Sequence, residues 1–555
     1  MALPDDYDYG HDDKPRETNV REIGWIGRRD VVRLLGIGAA ALAAGLPDRV
    51  HAASSSGTLV LGIDISDSIT FDPAREAQYT APLSLRAAYE SLVTMSPGDY
   101  LEVKPALAKA WAKTADGKGW RFHLADAKFN SGNPVTAADV KWTFDRLINL
   151  KDQPSQYVTN VSSVNVIDQN TVDIVLADPT QPILAILSGP NFGVMEAKAV
   201  EAQGGTAATD ASSADKATQW LNQHSAGAGP FTLVGWTRGA QILLTRNEHY
   251  FRGPVQFEHV IVRHMGDSAT QLLAIKRGDI SVAFNLIPEQ IATLRDDKQV
   301  RIEGLRSLDY VYMALTNEPA FNKALAVKEA RQAIACAIDY DGIINSLLGG
   351  NALRCASFIP IGLYGSTEET TKEYGWHQDL DRSKQLLQKA GFTDGFEFKL
   401  TYGDAAVSGL SYAVLAQKLQ SDLARVGIKV ALDPIDQVNL RTQYTTGKST
   451  GGVLTFWNPS GVETDQWASA SVLRVAKRIH WTPDPGLKQT VLQAAAEQDV
   501  MKRTALYVEY EKALIDQASL LILFQPIYQF AVRNTLKTLP LTAAGWEAEL
   551  YQATT

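Results

Sequence analysis

Cysteine and histidine are scarce in this chain, which has two cysteines and nine histidines among 555 residues. Two cysteines are too few for a disulfide framework. Cys336 and Cys355 could pair in an oxidising compartment, but the apolar, helical setting predicted for Cys336 indicates a buried free thiol at least as strongly. His259 and His264 lie five residues apart in a predicted strand, on opposite faces, so we expect no metal site there or elsewhere.

Signatures of catalysis are missing as well. The chain has no P-loop, no H-E-x-x-H helix and no G-x-S-x-G nucleophile elbow. Covalent catalysis by a serine stays open, because a sequence alone does not exclude it, but no pattern favours it. We therefore expect a protein that is not an enzyme and that needs no cofactor.

The charge balance and the composition limit the partners. The formal net charge is −9, and this mildly acidic balance argues against nucleic acid and anionic membranes. The hydrophobic content of 45% is ordinary for a globular chain, and the length is ample for two or three domains. Tyrosine and tryptophan are plentiful. Most of them must pack in cores, but a few are expected to line a cleft for organic solutes.

The amino-terminal segment has the features of an export signal. Arg28 and Arg29 precede an uncharged run over residues 34–46, which is too short to anchor the chain across a bilayer. We expect residues 1–52 to be a twin-arginine-type signal peptide with a long acidic leader, cleaved near Ala52. No cysteine lies near the end of the run, so the pattern predicts a periplasmic protein without a lipid anchor.

The most informative segment spans residues 104–147. Residues 120–124 alternate Trp, Phe and Leu with polar residues, which predicts a half-buried strand. A turn follows, and Thr136 then stands three residues before Asp139 in the arrangement of a capping box. Apolar residues at i, i+4 and i+7 from Val140 complete one face of a helix.

This order of elements resembles the signature of the extracellular solute-binding proteins of family 5. These are the dipeptide-, oligopeptide-, opine- and nickel-binding receptors of ABC importers. Similar landmarks extend from about residue 60 to about residue 530. They include an F-D-P turn at residues 71–73, a G-P-F hairpin start at 229–231, an R-x-A-I-x-x-A-I-D element at 331–339 and a strand at 521–526.

The resemblance implies an α/β protein with the two-lobed periplasmic binding protein fold, of type II with an extra subdomain and a hinge between the lobes. Lobe 1 is expected from residues 53–94, 226–317 and 516–555, its inserted subdomain from 95–225, and lobe 2 from 318–515. Such proteins close their lobes around a solute and deliver it to a permease of the inner membrane. We therefore expect a monomeric receptor for a short peptide or peptide-like solute.

The strongest candidate for ligand contact is the segment 453–459, a predicted strand that runs into a turn. In peptide-binding relatives this segment supplies main-chain hydrogen bonds, and an aspartate just after the Trp commonly pairs with the peptide ammonium. Ser460 occupies that position here. Since a cation in a closed cleft without a carboxylate costs several kcal/mol, either Glu463 or Asp465 replaces the aspartate or the ligand has no free amine. A solvated loop is the alternative for both acids.

Several other side chains complete the predicted site. Arg354 is a candidate partner for a ligand carboxylate, with a surface role equally open, and core packing is the alternative for Trp457. The predicted ligand-binding residues are Trp457, Asn458, Phe456, Thr455, Arg354, Asp67, Ser66, Tyr402, Tyr364, Glu463 and Asp465.

Three other functions remain open at this stage. An opine or another amino-acid conjugate would fit the missing aspartate, and a chelated nickel ion would need only a cationic or aromatic cleft. A periplasmic scaffold or chaperone-like protein that no longer takes part in transport would keep the fold and change the role.

Overall fold

The structure is a computed structural model that describes residues 57–457, 462–542 and 547–555. The predicted export signal, Asn458 and Ser460 therefore lie outside the described residues. Twenty-two strands are present in the described ranges. They are β1 Thr58–Ile63, β2 Val93–Ser96, β3 Asp99–Pro105, β4 Ala108–Lys113, β5 Gly119–Leu124, β6 Val161–Asp168, β7 Thr171–Leu176, β8 Phe231–Thr237, β9 Gln241–Arg246, β10 His259–His264, β11 Val282–Ala283, β12 Val300–Arg306, β13 Tyr310–Leu315, β14 Ala352–Leu353, β15 Glu397–Gly403, β16 Ala406–Val407, β17 Leu410–Ser411, β18 Lys429–Ile435, β19 Gly452–Trp457, β20 Leu520–Arg533, β21 Leu541–Thr542 and β22 Glu547–Ala548.

The helices fall between these strands and after them. They are α1 Ala81–Ala88, α2 Ala137–Leu150, α3 Ala197–Glu201, α4 Ala211–Ala214, α5 Thr218–Leu221, α6 Ser268–Arg277, α7 Pro288–Leu294, α8 Lys328–Ala337, α9 Tyr340–Gly342, α10 Glu368–Tyr374, α11 Leu380–Lys389, α12 Tyr412–Ala424, α13 Gln437–Thr445, α14 Asp465–Ala470, α15 Ala476–Arg478, α16 Pro485–Ala496 and α17 Val500–Gln517. A π-helical turn, Ser471–Val475, connects α14 to α15. No helix in the described ranges is both long and apolar enough to span a bilayer.

One large mixed sheet organises the chain. Its order is β18-β15-β19-β13-β20-β11-β1-β10-β9-β8, and β12 and β14 also pair with β20. What we call the first half of the sheet consists of β11, β1, β10, β9 and β8, together with β12. The second half consists of β13, β19, β15 and β18. The initial part of β20 pairs with β13 and its later part with β12. This single strand therefore belongs to both halves.

Apolar side chains cover both faces of each half. In β13 all six residues are buried, and they alternate between two clusters, with Tyr310 and Tyr312 in one and Val311 and Met313 in the other. The first half is likewise covered on both faces, by the clusters that contain Leu59 and Val60. Strands buried on both faces have continuous apolar runs rather than alternation, which is why β13 carries no period-two signal.

The segment 104–147 folds as its sequence predicts. Strand β5 belongs to a separate four-stranded sheet with the order β4-β5-β7-β6, and Phe122 and Leu124 are buried there. Thr136 and Asp139 form the capping box of α2, each side chain bonded to the backbone of the other. The capping-box prediction is therefore confirmed.

The sequence of residues 381–391 predicts a helix with Asp381 as its N-cap and Gly391 just after its end, and these two predictions have different outcomes. The cap of α11 is Asp379, whose side chain accepts a hydrogen bond from the Arg382 backbone; the predicted Asp381 is instead a residue of the first turn. The sequence offers two aspartates at nearly the same position, and only the backbone conformation selects between them. Gly391 follows the helix with a φ of +81°, as predicted for a residue that must adopt the left-handed region.

The two cysteines are free and buried. Burial raises the pKa of the Cys336 thiol to about 11 and that of Cys355 to about 12. The buried free thiol predicted for Cys336 is therefore confirmed.

A buried ion cluster joins the four-stranded region to the first half of the sheet. Arg146, on α2, donates to both carboxylate oxygens of Asp72 at 2.8 and 2.6 Å. It also donates to both oxygens of Asp215 at 2.9 and 3.0 Å. All three side chains are completely inaccessible to solvent. Asp72 is the centre of the F-D-P turn, so this landmark has a clear role in binding a guanidinium group from another element.

Candidate ligand-binding site

The chain passes between the two halves of the sheet at two neighbouring points. One point is the connection from β12 to β13, around Ser307, and the other is the middle of β20, around Gln525. The Ser307 hydroxyl donates to the carbonyl of Pro526 at 3.0 Å. The buried Gln525 amide donates to the carbonyls of Ser307 at 2.6 Å and of Ile361 at 3.0 Å. These bonds hold the two crossings side by side.

Asp309 lies at the first crossing and is buried. Its carboxylate accepts hydrogen bonds from the hydroxyls of Tyr79 at 2.5 Å and Tyr528 at 2.6 Å. Burial raises the pKa of Asp309 to about 6, although both tyrosine hydrogen bonds oppose the shift. The hydroxyl of Tyr412 is buried without a hydrogen-bond partner and interacts electrostatically with the same carboxylate. Three tyrosines from separate elements therefore surround one titratable group.

This carboxylate should make the stability depend on pH. Because the pKa of Asp309 is raised in the folded state, protonated Asp309 stabilises the fold. This contribution to the free energy of unfolding is fully present below pH 4 and is lost as the pH rises through about 6. Asp309→Asn keeps an acceptor for both tyrosines and removes the titration. The free energy of unfolding of the wild-type protein should therefore fall relative to that of the variant between pH 4 and pH 7, measured by urea denaturation at each pH. A constant difference across this range would contradict the assignment.

Trp457 ends β19. Together with Phe358, Tyr310 and Tyr312 it forms what we call the aromatic wall, beside the crossings. It pairs in register with Tyr310, and its ring meets the ring of Phe358 edge to face, with 5.1 Å between centroids. Phe358 in turn contacts Tyr310 and Tyr312. Trp457 is only half-buried, and its indole N–H is buried with no hydrogen-bond partner among the described residues. Buried donors are normally paired, so this N–H is a place for a ligand acceptor.

Two arginines lie over the face of this tryptophan. The guanidinium carbon of Arg474 is 5.5 Å from the centre of the Trp457 ring, and that of Arg478 is 6.0 Å from it. Arg478 also lies 5.4 Å from the centre of the Tyr444 ring. Cations at these distances are attracted to the electron-rich faces of aromatic rings. The wall is therefore both aromatic and positively charged.

The inserted region packs against this part of the second half. The Tyr364 hydroxyl donates to the Leu101 carbonyl at 2.9 Å, and Met95, Tyr100 and Ala185 join the apolar cluster that contains Tyr310. The wall consequently lies where two different parts of the chain face each other, which is where a closed cleft would enclose a solute.

The structure separates the two acids predicted for the ligand ammonium. Glu463 is buried and forms an ion pair with Arg503, whose guanidinium carbon lies 4.9 Å from the centre of the Tyr364 ring. The solvated-loop interpretation of Glu463 is therefore wrong. Its charge is already neutralised, because a residue forty positions later supplies the cation.

Asp465 forms no ion pair with the described residues, although the charge of Arg503 acts on it at longer range. It accepts a hydrogen bond from the Ser469 hydroxyl at 2.6 Å, and in the described part of the chain no basic group lies within ion-pair distance of it. Burial, and then the negative charge of Glu463, raise the pKa of Asp465 to about 6. Of the two acids, Asp465 is therefore the one able to receive an ammonium group.

Other predicted residues have structural roles. The Asp67 carboxylate accepts from the backbone N–H groups of Tyr79 at 2.7 Å and Thr80 at 3.1 Å, so it orders the loop before α1. Ser66 is exposed, and its N–H donates to Asp64 at 2.9 Å. Neither group contacts the aromatic wall, and their predicted contact with a ligand stays a prediction.

Arg354 and Tyr402 do not belong to this wall. The Arg354 guanidinium donates to the carbonyls of Cys355 at 2.7 Å, Ile522 at 3.1 Å and Trp376 at 2.8 Å. Three of its five N–H groups already donate to carbonyls, so we do not assign it to a ligand carboxylate. Tyr402 is buried in the apolar cluster on the other face of the sheet. It is a core residue, because residues of a doubly covered strand are buried whichever face they occupy.

Thr455 and Phe456, the two residues of β19 before Trp457, lie on opposite faces of the sheet. Thr455 is buried in β19 two residues before Trp457, and Phe456 packs against the opposite cluster. Arg474, Arg478, Phe358 and Asp309 belong to the site but were not predicted. The spacing of the two arginines, i and i+4 with like charge, was the one signal in the sequence that pointed to them.

Metal-binding side chains are not gathered at this site. In the described ranges, no three histidine, cysteine, aspartate or glutamate side chains are grouped so as to hold a metal ion. His264 instead accepts a hydrogen bond from the Ile65 backbone at 3.3 Å.

The protein is α/β, and its large sheet has two halves that are joined by two adjacent crossings and bordered by an aromatic wall. This architecture is that of a two-lobed binding protein. Residues 102–472 match the bacterial extracellular solute-binding proteins, family 5 Middle. The chain belongs to this family, as the resemblance in the sequence predicted.

Individual relatives agree with this assignment. The chain is 28% identical over 496 residues to the probable D,D-dipeptide-binding periplasmic protein DdpA of Escherichia coli strain K12, covering 88% of this chain and 92% of that protein. It is 26% identical over 495 residues to di/tripeptide-binding protein 2 of Pseudomonas aeruginosa strain UCBPP-PA14, covering 84% of this chain and 89% of that one.

A solved structure supports the fold. The periplasmic binding protein DppA of Helicobacter pylori, in complex with the peptide STSA, superimposes with a TM-score of 0.69 at 20% identity, covering 90% of this chain and 98% of that chain. The predicted α/β, two-lobed periplasmic binding protein fold is therefore confirmed.

Proposed function

We propose that this protein is the periplasmic substrate-binding component of an ABC importer and that it binds a short peptide or peptide-like solute by lobe closure. The observation that carries the proposal is the half-buried Trp457 wall, with an unpartnered indole N–H and a facing inserted region. The names of relatives that bind dipeptides and tripeptides support the ligand class. The permease of the inner membrane is the expected partner, and we expect the receptor to act as a monomer.

We propose lobe boundaries at the two crossings, near residues 308 and 526, instead of residues 318 and 516. The two apolar clusters on the faces of β13 draw almost entirely on residues 308–524. Residues 310–317 and 516–524 therefore belong with lobe 2. The cluster of the four-stranded sheet draws on residues between 74 and 228, which supports an inserted subdomain close to the predicted 95–225.

We assign the ligand ammonium to Asp465. It is an enclosed carboxylate without a basic partner, whereas Glu463 is paired with Arg503. With a pKa of about 6, the Asp465 carboxylate is still mostly ionised at neutral pH and can bind an ammonium group there. A bound ammonium would in turn lower this pKa. Asp465 would then take the role of the aspartate that peptide-binding relatives commonly have at the position of Ser460.

We also propose that residues 1–52 are the export signal, with cleavage near Ala52. The paired arginines and the short apolar run support this assignment. The mass of the protein recovered from the periplasm tests it, because an intact leader there would contradict cleavage.

Thermal stability in the presence of candidate solutes tests the proposed function. The purified protein, freed of bound solute by mild denaturation and refolding, is heated with dipeptides to pentapeptides, N-acetylated peptides, opines, and nickel with histidine. A peptide at 100 times its Kd should add about 2.7 kcal/mol and raise the Tm by a few degrees. A shift with free peptides but not with acetylated ones is expected if Asp465 holds the ammonium.

Other outcomes would contradict parts of the proposal. A shift only with opines or acetylated compounds would exclude ordinary peptides as the ligand class. The absence of a shift with every solute would favour a periplasmic protein without a transport role.

A further inference from the structure

Arg474 and Arg478 occupy one face of the same helical segment. They are four residues apart in the run that begins with α14, continues through the π-helical turn and ends with α15. Like charges at this spacing repel each other by a few tenths of a kcal/mol in a helix. A sequence that places two arginines there without a carboxylate between them therefore carries an unfavourable contact, and a binding role would explain it.

Neither guanidinium group has an ion pair or a hydrogen bond in the described part of the chain. Three enclosed arginines among the described residues are, by contrast, engaged: Arg146 with two aspartates, Arg503 with Glu463 and Arg354 with three carbonyls. The contacts of Arg474 and Arg478 are instead the aromatic faces of Trp457 and Tyr444. Aromatic rings hold a guanidinium group in place and leave all of its N–H donors available.

The surroundings of the pair favour a negative partner. Partial burial, and then the charge of Arg478, lower the pKa of Arg474, while the residue as a whole stays exposed enough for a solute to reach it. Arg474 also interacts electrostatically with Tyr157, which lies in the inserted region, in the 3₁₀ helix Gln153–Val158. The pair thus faces the part of the chain that packs over the wall, and an anion bound there would be enclosed by both.

We propose that Arg474 and Arg478, held over the ring of Trp457, bind a carboxylate group of the solute. This inference rests on the proposed function and names the chemistry at one end of the ligand. Planar guanidinium groups bind carboxylates in a bidentate manner. The unpartnered Trp457 indole N–H supplies a further donor at the edge of the same ring. The carboxylate belongs either to the carboxyl terminus of a peptide or to an acidic side chain, and both have the same chemistry.

Calorimetric titration of the purified protein distinguishes these sources. The ligands are trialanine, trialanine amide, and their counterparts with one glutamate. If the terminal carboxylate is bound, the amide should bind about 10- to 100-fold more weakly than trialanine. If a side-chain carboxylate is bound, the glutamate peptides should gain affinity whether or not their terminus is amidated.

The variants Arg474→Gln and Arg478→Gln test the residues themselves. Each should weaken binding of the favoured carboxylate peptide by about 10- to 100-fold and leave binding of the peptide without that carboxylate unchanged. Arg474→Lys keeps the charge but loses the planar fork, so it should restore part of the affinity. Arg382→Gln is the matched control, because Arg382 lies 5.2 Å from the centre of the Trp376 ring, outside the wall.

The possible failures are separable. Wild-type affinity in both glutamine variants would overturn the carboxylate site and leave the proposed function intact. Equal weakening for charged and amidated peptides would also overturn it, since the arginines would then act through the fold. No binding of any peptide to the wild-type protein would overturn the proposed function together with this site.

Discussion

Replacing Arg146 by leucine should lower the free energy of unfolding by about 3–5 kcal/mol. The substitution leaves the completely buried carboxylates of Asp72 and Asp215 to Arg75 alone, whose guanidinium lies 3.7 Å from Asp72 and 3.8 Å from Asp215 and is shared with Asp152. In the folded protein, Arg146 holds the pKa of Asp215 below its ordinary value against the opposing effect of burial. Urea denaturation followed by tryptophan fluorescence measures the loss, and the inserted region should unfold first because the cluster attaches it to the first half of the sheet.

Lys141→Ala provides the matched control on the same helix. Lys141 pairs with Asp145 at 2.8 Å, but the two side chains are 45% and 32% accessible to solvent, so the cost should stay within about 0.5 kcal/mol. Adding Asp72→Asn and Asp215→Asn to Arg146→Leu should recover part of the loss, because the incompletely compensated charges are then gone. A loss below about 1 kcal/mol for Arg146→Leu would show that Arg75 or water compensates the two carboxylates.

Trp457→Ala should weaken peptide binding at least about 30-fold, since buried aromatic anchors contribute most of the binding energy at such sites. The variant removes the wall against which Arg474 and Arg478 are held, together with the unpartnered indole N–H. Binding is measured by calorimetry and stability by thermal unfolding. The Tm should fall only modestly, because the side chain is half-buried.

Trp120→Ala is the corresponding control. Trp120 is also half-buried and also has a cation, that of Lys113, 5.7 Å from its ring centre, but it belongs to the four-stranded sheet. A similar fall in Tm with unchanged peptide affinity is expected. If Trp457→Ala cost more than about 3 kcal/mol of stability and kept full affinity, Trp457 would be a core residue.

Local patterns predicted this fold better than they predicted the site. The capping box of Thr136 and Asp139 is complete within four residues, so the sequence contains everything that determines it. The neutralisation of Glu463 depends on Arg503, and that contact exists only once α17 brings Arg503 to the segment before α14. The family resemblance identified the strand that ends at Trp457, but not the arginines over its ring.

Burial on both faces of the sheet explains why Tyr402, a core residue, was predicted to contact the ligand. Tyr402 and Tyr312 are similar in type and in strand setting, and both are buried, yet they lie on opposite faces of the sheet. Only Tyr312 packs beside the wall. Period-two alternation, which would have told the two faces apart, is absent from strands that are covered on both sides.

Strand β20 also determines when this protein is able to fold. It is fourteen residues long, ends twenty-two residues before the carboxyl terminus, and lies between β13 and β11 in the middle of the large sheet. A ribosome must therefore translate past residue 520 before any part of this strand, which the two halves of the sheet share, is available. Until then β13 and β12 each have an open edge, and open edges pair readily with other chains. Premature termination anywhere before residue 520 would leave both lobes incomplete, so neither lobe is an independent folding unit during translation.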